Sequence, residues 1–72
     1  MELIEHTSEE RLTREAAAQR LRELADELSR HNAVEFDVDG VRHTVKVPRE
    51  LTYSLEIEVS DDGSEIEVEL KW

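Results

Sequence analysis

The sequence predicts an α+β fold: a four-stranded antiparallel meander with one helix packed on its apolar face. Three observations carry this. An apolar stripe of Leu12, Ala16, Ala17, Leu21, Leu24, Ala25 and Leu28 recurs at helical spacing. After Ala33 the chain alternates apolar and polar residues, ending on the unbroken run Ile66-Glu67-Val68-Glu69-Leu70-Lys71-Trp72. Two Asp-Gly pairs, Asp39-Gly40 and Asp62-Gly63, sit where hairpin turns are needed.

From the N-terminus, residues 2 to 6 form a short candidate strand that could add an edge to the sheet, followed by a polar segment from His6 to Arg11. Thr13 is a good N-cap, with Glu15 in the first turn facing the positive end of the helix. Thr7 and Glu10 offer a competing capping box. The apolar series favours Thr13 and a helix of about 18 residues, or roughly 27 Å. Its polar face mixes Arg14, Glu15, Arg22, Glu23, Asp26 and Glu27, so it is a solvated face and not a cationic patch. Arg30 and His31 suit the negative end of the helix, and Asn32 can take the left-handed position that ends it.

The strands follow in one phase: Val34, Phe36 and Val38; Val41, His43, Val45 and Val47; Leu51, Tyr53, Leu55, Ile57 and Val59; Ile66, Val68, Leu70 and Trp72. A turn on Asp39-Gly40 pairs Val38 with Val41, Phe36 with His43 and Val34 with Val45. A turn on Asp62-Gly63 pairs Val59 with Ile66, Ile57 with Val68, Leu55 with Leu70 and Tyr53 with Trp72. A three-residue connection, Pro48-Arg49-Glu50, would set Val47 against Leu51 and Val45 against Tyr53. On the polar face Arg42 then lies between Asp37 and Glu56, while Glu56 meets Glu69 and Glu58 meets Glu67.

Seventy-two residues make a single domain, residues 1–72, with a small core. There is no cysteine, hence no disulfide or thiolate metal site. No apolar run approaches the roughly 20 residues of a membrane span, and the first residues lack the layout of a signal peptide. The expectation is a soluble cytoplasmic protein with no membrane partner. Nineteen Asp and Glu face nine Lys and Arg, a net charge of -10, and only Lys46 and Lys71 are lysines. No basic stripe exists to neutralise phosphates, which argues against nucleic acid. Opposed glutamates repel in ordinary buffer, but at about 1 M salt the Debye length falls to roughly 3 Å. The composition therefore predicts a protein of a high-salt cytoplasm.

The helix start Thr-Arg-Glu-Ala-Ala-Ala, the run Leu-Arg-Glu-Leu-Ala-Asp-Glu-Leu at residues 21 to 28 and the closing Glu-Val-Glu-Leu-Lys-Trp resemble the amphi-Trp domain family. These are small proteins, frequent in haloarchaea, named for an amphipathic terminal strand that ends in Trp. The resemblance runs from about Leu12 to Trp72, and Trp72 matches the position that gives the family its name. It implies no reaction, cofactor or catalytic residue.

No catalytic constellation, phosphate loop, dinucleotide fingerprint or zinc-ligand spacing is present, so no enzyme activity, cofactor or metal is expected. His43 is the one titratable group on the expected apolar face, and the candidate polar group of a ligand-binding or catalytic groove between helix and sheet. The cluster Glu56, Glu58, Glu65, Glu67 and Glu69 could hold divalent cations weakly, although a flat strand face lacks an enclosing loop. A geometric argument favours association over both. Four strands at about 4.8 Å spacing span nearly 20 Å, whereas a helix is about 10–12 Å across. One helix leaves part of the apolar face bare, and Tyr53, Trp72, Phe36 and Leu70 are the candidate contact residues. The expected partner is a second copy of this chain or another protein, most simply as a two-fold dimer.

Overall fold

The structure, a computed structural model, describes residues 4–72. Helix α1 runs Arg14–His31, followed by strands β1 (Ala33–Val38), β2 (Val41–Lys46), β3 (Thr52–Ser60) and β4 (Gly63–Lys71). The class is α+β with antiparallel pairing throughout.

The ends of α1 are set by its caps. Thr13 is extended (φ -71°, ψ 161°), and its side-chain oxygen accepts a hydrogen bond from the Ala16 N–H at 3.1 Å. That satisfies one of the four unpaired donors of the first turn. The competing start at Thr7 is not used, because residues 7 to 13 are not helical. Instead this segment is tied across the helix by Glu10, whose carboxylate takes both Arg20 Nε (3.1 Å) and an Arg20 terminal nitrogen (3.3 Å). At the other end Asn32 adopts the left-handed conformation (φ 54°, ψ 21°).

The β1–β2 hairpin has the expected register: Val38 opposite Val41, Phe36 opposite His43, Val34 opposite Val45. Asp39 (φ 51°) and Gly40 (φ 81°) both take positive φ, as a type I′ turn requires. Val47 N–H donates to the Asn32 carbonyl at 2.8 Å and extends the ladder by one rung.

In β3–β4 the expected register is corrected. Ser60 lies opposite Gly63, so the turn residues are Asp61 and Asp62, and Tyr53 faces Leu70 instead of Trp72. The further pairs are Leu55 with Val68, Ile57 with Ile66, Glu56 with Glu67 and Glu58 with Glu65. Neither Asp61 nor Asp62 has positive φ; Gly63 alone does (φ 148°), at the first position of β4. The chain thereby avoids the left-handed conformation that a turn on Asp62-Gly63 would impose on Asp62. Ser60 Oγ donates to the Gly63 carbonyl at 2.8 Å and closes the turn.

The four strands do not form one meander. They make two two-stranded sheets, β1–β2 and β3–β4, with no pairing between β2 and β3. The linking segment, residues 47 to 51, does not fold back as a hairpin. Pro48 fixes its own φ near -65° and holds Val47 extended, which favours an open connection. The N-terminal edge strand is likewise absent at Ile4, Glu5 and His6; the rest of that segment, Glu2 and Leu3, lies outside the described residues. His6 instead places its ring 5.3 Å from that of Phe36, over the β1–β2 hairpin rather than along its edge.

Helix α1 packs on β1, and among the described residues no helix or strand of the first half packs on β3 or β4. No described residue is buried. The accessible surface is 7022 Å², whereas compact monomers of 8.4 kDa expose about 4,600 Å². The radius of gyration is 14.2 Å, against roughly 11 Å expected for a compact chain of this length. Among the described residues no helix is long and apolar enough to cross a membrane.

Candidate interaction surface

The β3–β4 hairpin carries the largest uncovered apolar face. Period-2 alternation puts Tyr53, Leu55, Ile57 and Val59 on one side of β3, and Ile66, Val68 and Leu70 join them from β4. Ile57 is 62% exposed, Ile66 71% and Val59 80%. β-branched and aromatic pairs of this kind normally stabilise a sheet through burial against another layer. Among the described residues no second layer covers them.

The candidate contact residues separate into two groups. Tyr53 and Leu70 are direct cross-strand partners. Trp72 lies just past β4 on the same face and is 60% exposed; the ladder register extended outward would set it opposite Leu51. The expected pairing of Tyr53 with Trp72 is not formed, because the register places the two residues diagonally and not opposite each other. Phe36 belongs to the other hairpin, where its ring lies between those of His6 and His43.

The His43 ring stacks on Phe36 at 5.6 Å with an interplanar angle of 24°. His43 lines neither of two depressions beside the helix, one of which lies between Glu27 and His31 of α1 and Ala33, Glu35 and Thr44 of the β1–β2 hairpin. The other is a cleft of about 590 Å³ between the end of α1, the 47–51 connection and the end of β4, lined by Leu28, Val47, Pro48, Leu51 and Leu70 together with the polar Asn32 and Arg49. Its walls are mainly aliphatic, which suits an inserted apolar side chain better than proton transfer.

The opposite face of β3–β4 is a carboxylate ladder, with Glu56 across from Glu67 and Glu58 across from Glu65. Facing residues in an antiparallel pair have Cα atoms about 4.5–5.5 Å apart. That lies inside the Debye length of about 10 Å at 0.1 M salt and outside the roughly 3 Å at 1 M. Glu69 has Lys71 at 3.9 Å on the same strand. Among the described residues no three His, Asp or Glu side chains converge as metal ligands would.

On β1–β2 the charges are complementary. Arg42 donates to Glu35 at 2.7 Å and to Asp37 at 2.9 Å. The hydrogen bond to Glu35, then that to Asp37, raises the Arg42 pKa above its ordinary value, so the guanidinium stays a fixed positive charge. The Arg42–Asp37 contact was legible from the turn; the reach to Glu35, two residues along the same face, was not. The outer edge of β1 is partly closed by α1, since Glu27 accepts a hydrogen bond from the Glu35 N–H at 3.3 Å. Among the described residues the far edges of β2, of β3 and of β4 pair with no strand.

Comparison with known proteins adds one finding. The sequence model of a family described as the Amphi-Trp domain matches residues 1–72, the whole sequence. No curated protein and no solved structure matches.

Proposed function

The chain belongs to the Amphi-Trp domain family, and we propose that it is a self-associating interaction module of a high-salt cytoplasm. One observation carries the proposal: the chain folds its helix and strands without burying a single described residue. The surface in excess of a compact monomer is about 2,400 Å² per chain. Obligate homodimers bury about 2,000–5,000 Å² in total, so one partner copy is of the right size to cover it. The apolar faces of β3–β4 and α1 are the surfaces offered, and no reaction or cofactor is assigned.

The salt component rests on the net charge of -10 and on the facing glutamates of β3–β4. Screening in molar salt removes a repulsion that would otherwise oppose both the hairpin and its assembly.

Trp72 is the only tryptophan and is 60% exposed in the single chain, which makes it the reporter. Its emission is expected to shift to the red as the protein is diluted in molar KCl and chains separate. Emission that stays constant over the whole dilution series, at the wavelength of a solvated indole, would overturn the proposal.

A further inference from the structure

We infer that the dimer is strand-exchanged: β3 of one chain pairs antiparallel with the free edge of β2 of its partner, and the reverse. Two four-stranded sheets of order β1–β2–β3–β4 result, each built from two chains. The inference rests on the self-association reading and adds its geometry.

Free edges and charge single out β2 as the acceptor; β3 and β4 each have a free outer edge, and β3 is favoured because strands consecutive in sequence usually neighbour one another. β3 is nine residues long, apolar on one face and unpaired on one edge, a template for another strand. The outer edge of β1 is closed at Glu35 by Glu27. Pairing β3 with β3, or β4 with β4, between copies would bring acidic faces together, since β3 carries Glu56 and Glu58 and β4 carries Glu65, Glu67 and Glu69. β2 is different: Val41-Arg42-His43-Thr44-Val45-Lys46 has two cations and no acid. Only the β2 edge is both free and basic.

The proposed register keeps Val47 opposite Leu51, now between the two copies. Arg42 comes opposite Glu56 of the partner, Thr44 opposite Ser54 and Val45 opposite Tyr53, with every apolar residue on one face. The connection explains why the partner supplies the strand. Pro48 restricts it and β2 and β3 of one chain stay unpaired across it, so the edge of β2 is left for a neighbour. The area that one copy must cover also fits, as worked out above.

The chain has no cysteine, so paired thiols report the geometry directly. Thr44→Cys and Ser54→Cys chains are prepared separately, mixed, refolded together in molar KCl and oxidised. Facing positions in a sheet lie within disulfide range. The expected product on a non-reducing gel is a mixed disulfide shifted from the 8.4 kDa of one chain to twice that mass, with neither variant cross-linking alone to a comparable extent. A dimer by mass with no mixed disulfide would overturn strand exchange and leave self-association standing. A Thr44→Cys, Ser54→Cys double variant that oxidises wholly within one chain would show that the meander closes intramolecularly and overturn the exchange. A monomer at every concentration would overturn both readings.

Discussion

Replacing Ile57 with Ala tests whether the β3–β4 apolar face is an interface. Ile57 faces Ile66 at the middle of the hairpin and is 62% exposed in the single chain. The substitution removes three carbons, worth together about 2.4 kcal/mol if they pass fully from water to an apolar contact. With 62% of the residue still open, about 1.5 kcal/mol of that is available only on association. A two-fold dimer contains the site twice, giving about 3 kcal/mol, or roughly a hundredfold weaker dissociation constant. The remaining part, about 1 kcal/mol, would appear as reduced stability of the chain itself. Thermal unfolding over a range of protein concentrations separates the two parts, because only the association part depends on concentration. A loss of stability that is identical at all concentrations would refute the reasoning, since it would mean that Ile57 is covered within its own chain.

Three further variants address the elements that build this surface. Thr13→Ala removes the acceptor of the Ala16 N–H and is expected to cost about 1 kcal/mol in a denaturant titration; no change would show that the cap is dispensable. Asp62→Gly is expected to destabilise by roughly 0.5–1 kcal/mol, because Asp62 has negative φ and gains only unfolded-state freedom from glycine. A stabilising effect in the same titration would place Asp62 in the left-handed conformation and restore the rejected register. Glu56→Gln together with Glu58→Gln removes one side of the carboxylate ladder and is expected to flatten the dependence of the melting temperature on KCl. An unchanged salt dependence would show that the ladder is not its source.

The legible parts of the fold are those in which a local residue has only one good conformation to offer. Thr13 and Asn32 bracket α1 because a threonine oxygen caps and an asparagine tolerates the left-handed region. Asp39-Gly40 fixes the β1–β2 register because both residues accept positive φ, and Val34 then faces Val45, Val38 faces Val41 and Asp37 faces Arg42. The β3–β4 register escaped the same argument for a physical reason. Moving each partner by two positions keeps every side chain on its face, so the apolar pattern is blind to the shift and turn chemistry alone decides. Asp61-Asp62-Gly63 offers two turns, and the one without a left-handed aspartate is adopted. The Glu10–Arg20 strap and the His6–Phe36 contact join an irregular segment to elements distant in sequence, and no periodicity announces such contacts. Association was inferred from the width of the sheet against that of one helix. The uncovered apolar surface itself has a larger cause in the structure, the separation of β2 from β3, which leaves a whole hairpin without a second layer among the described residues.

Sedimentation equilibrium of the unmodified chain in molar KCl tests the central claim most directly. A self-associating chain is expected to show a mass of twice 8.4 kDa that falls toward the single-chain value on dilution. A mass of 8.4 kDa at every concentration, with the chain folded, would contradict it.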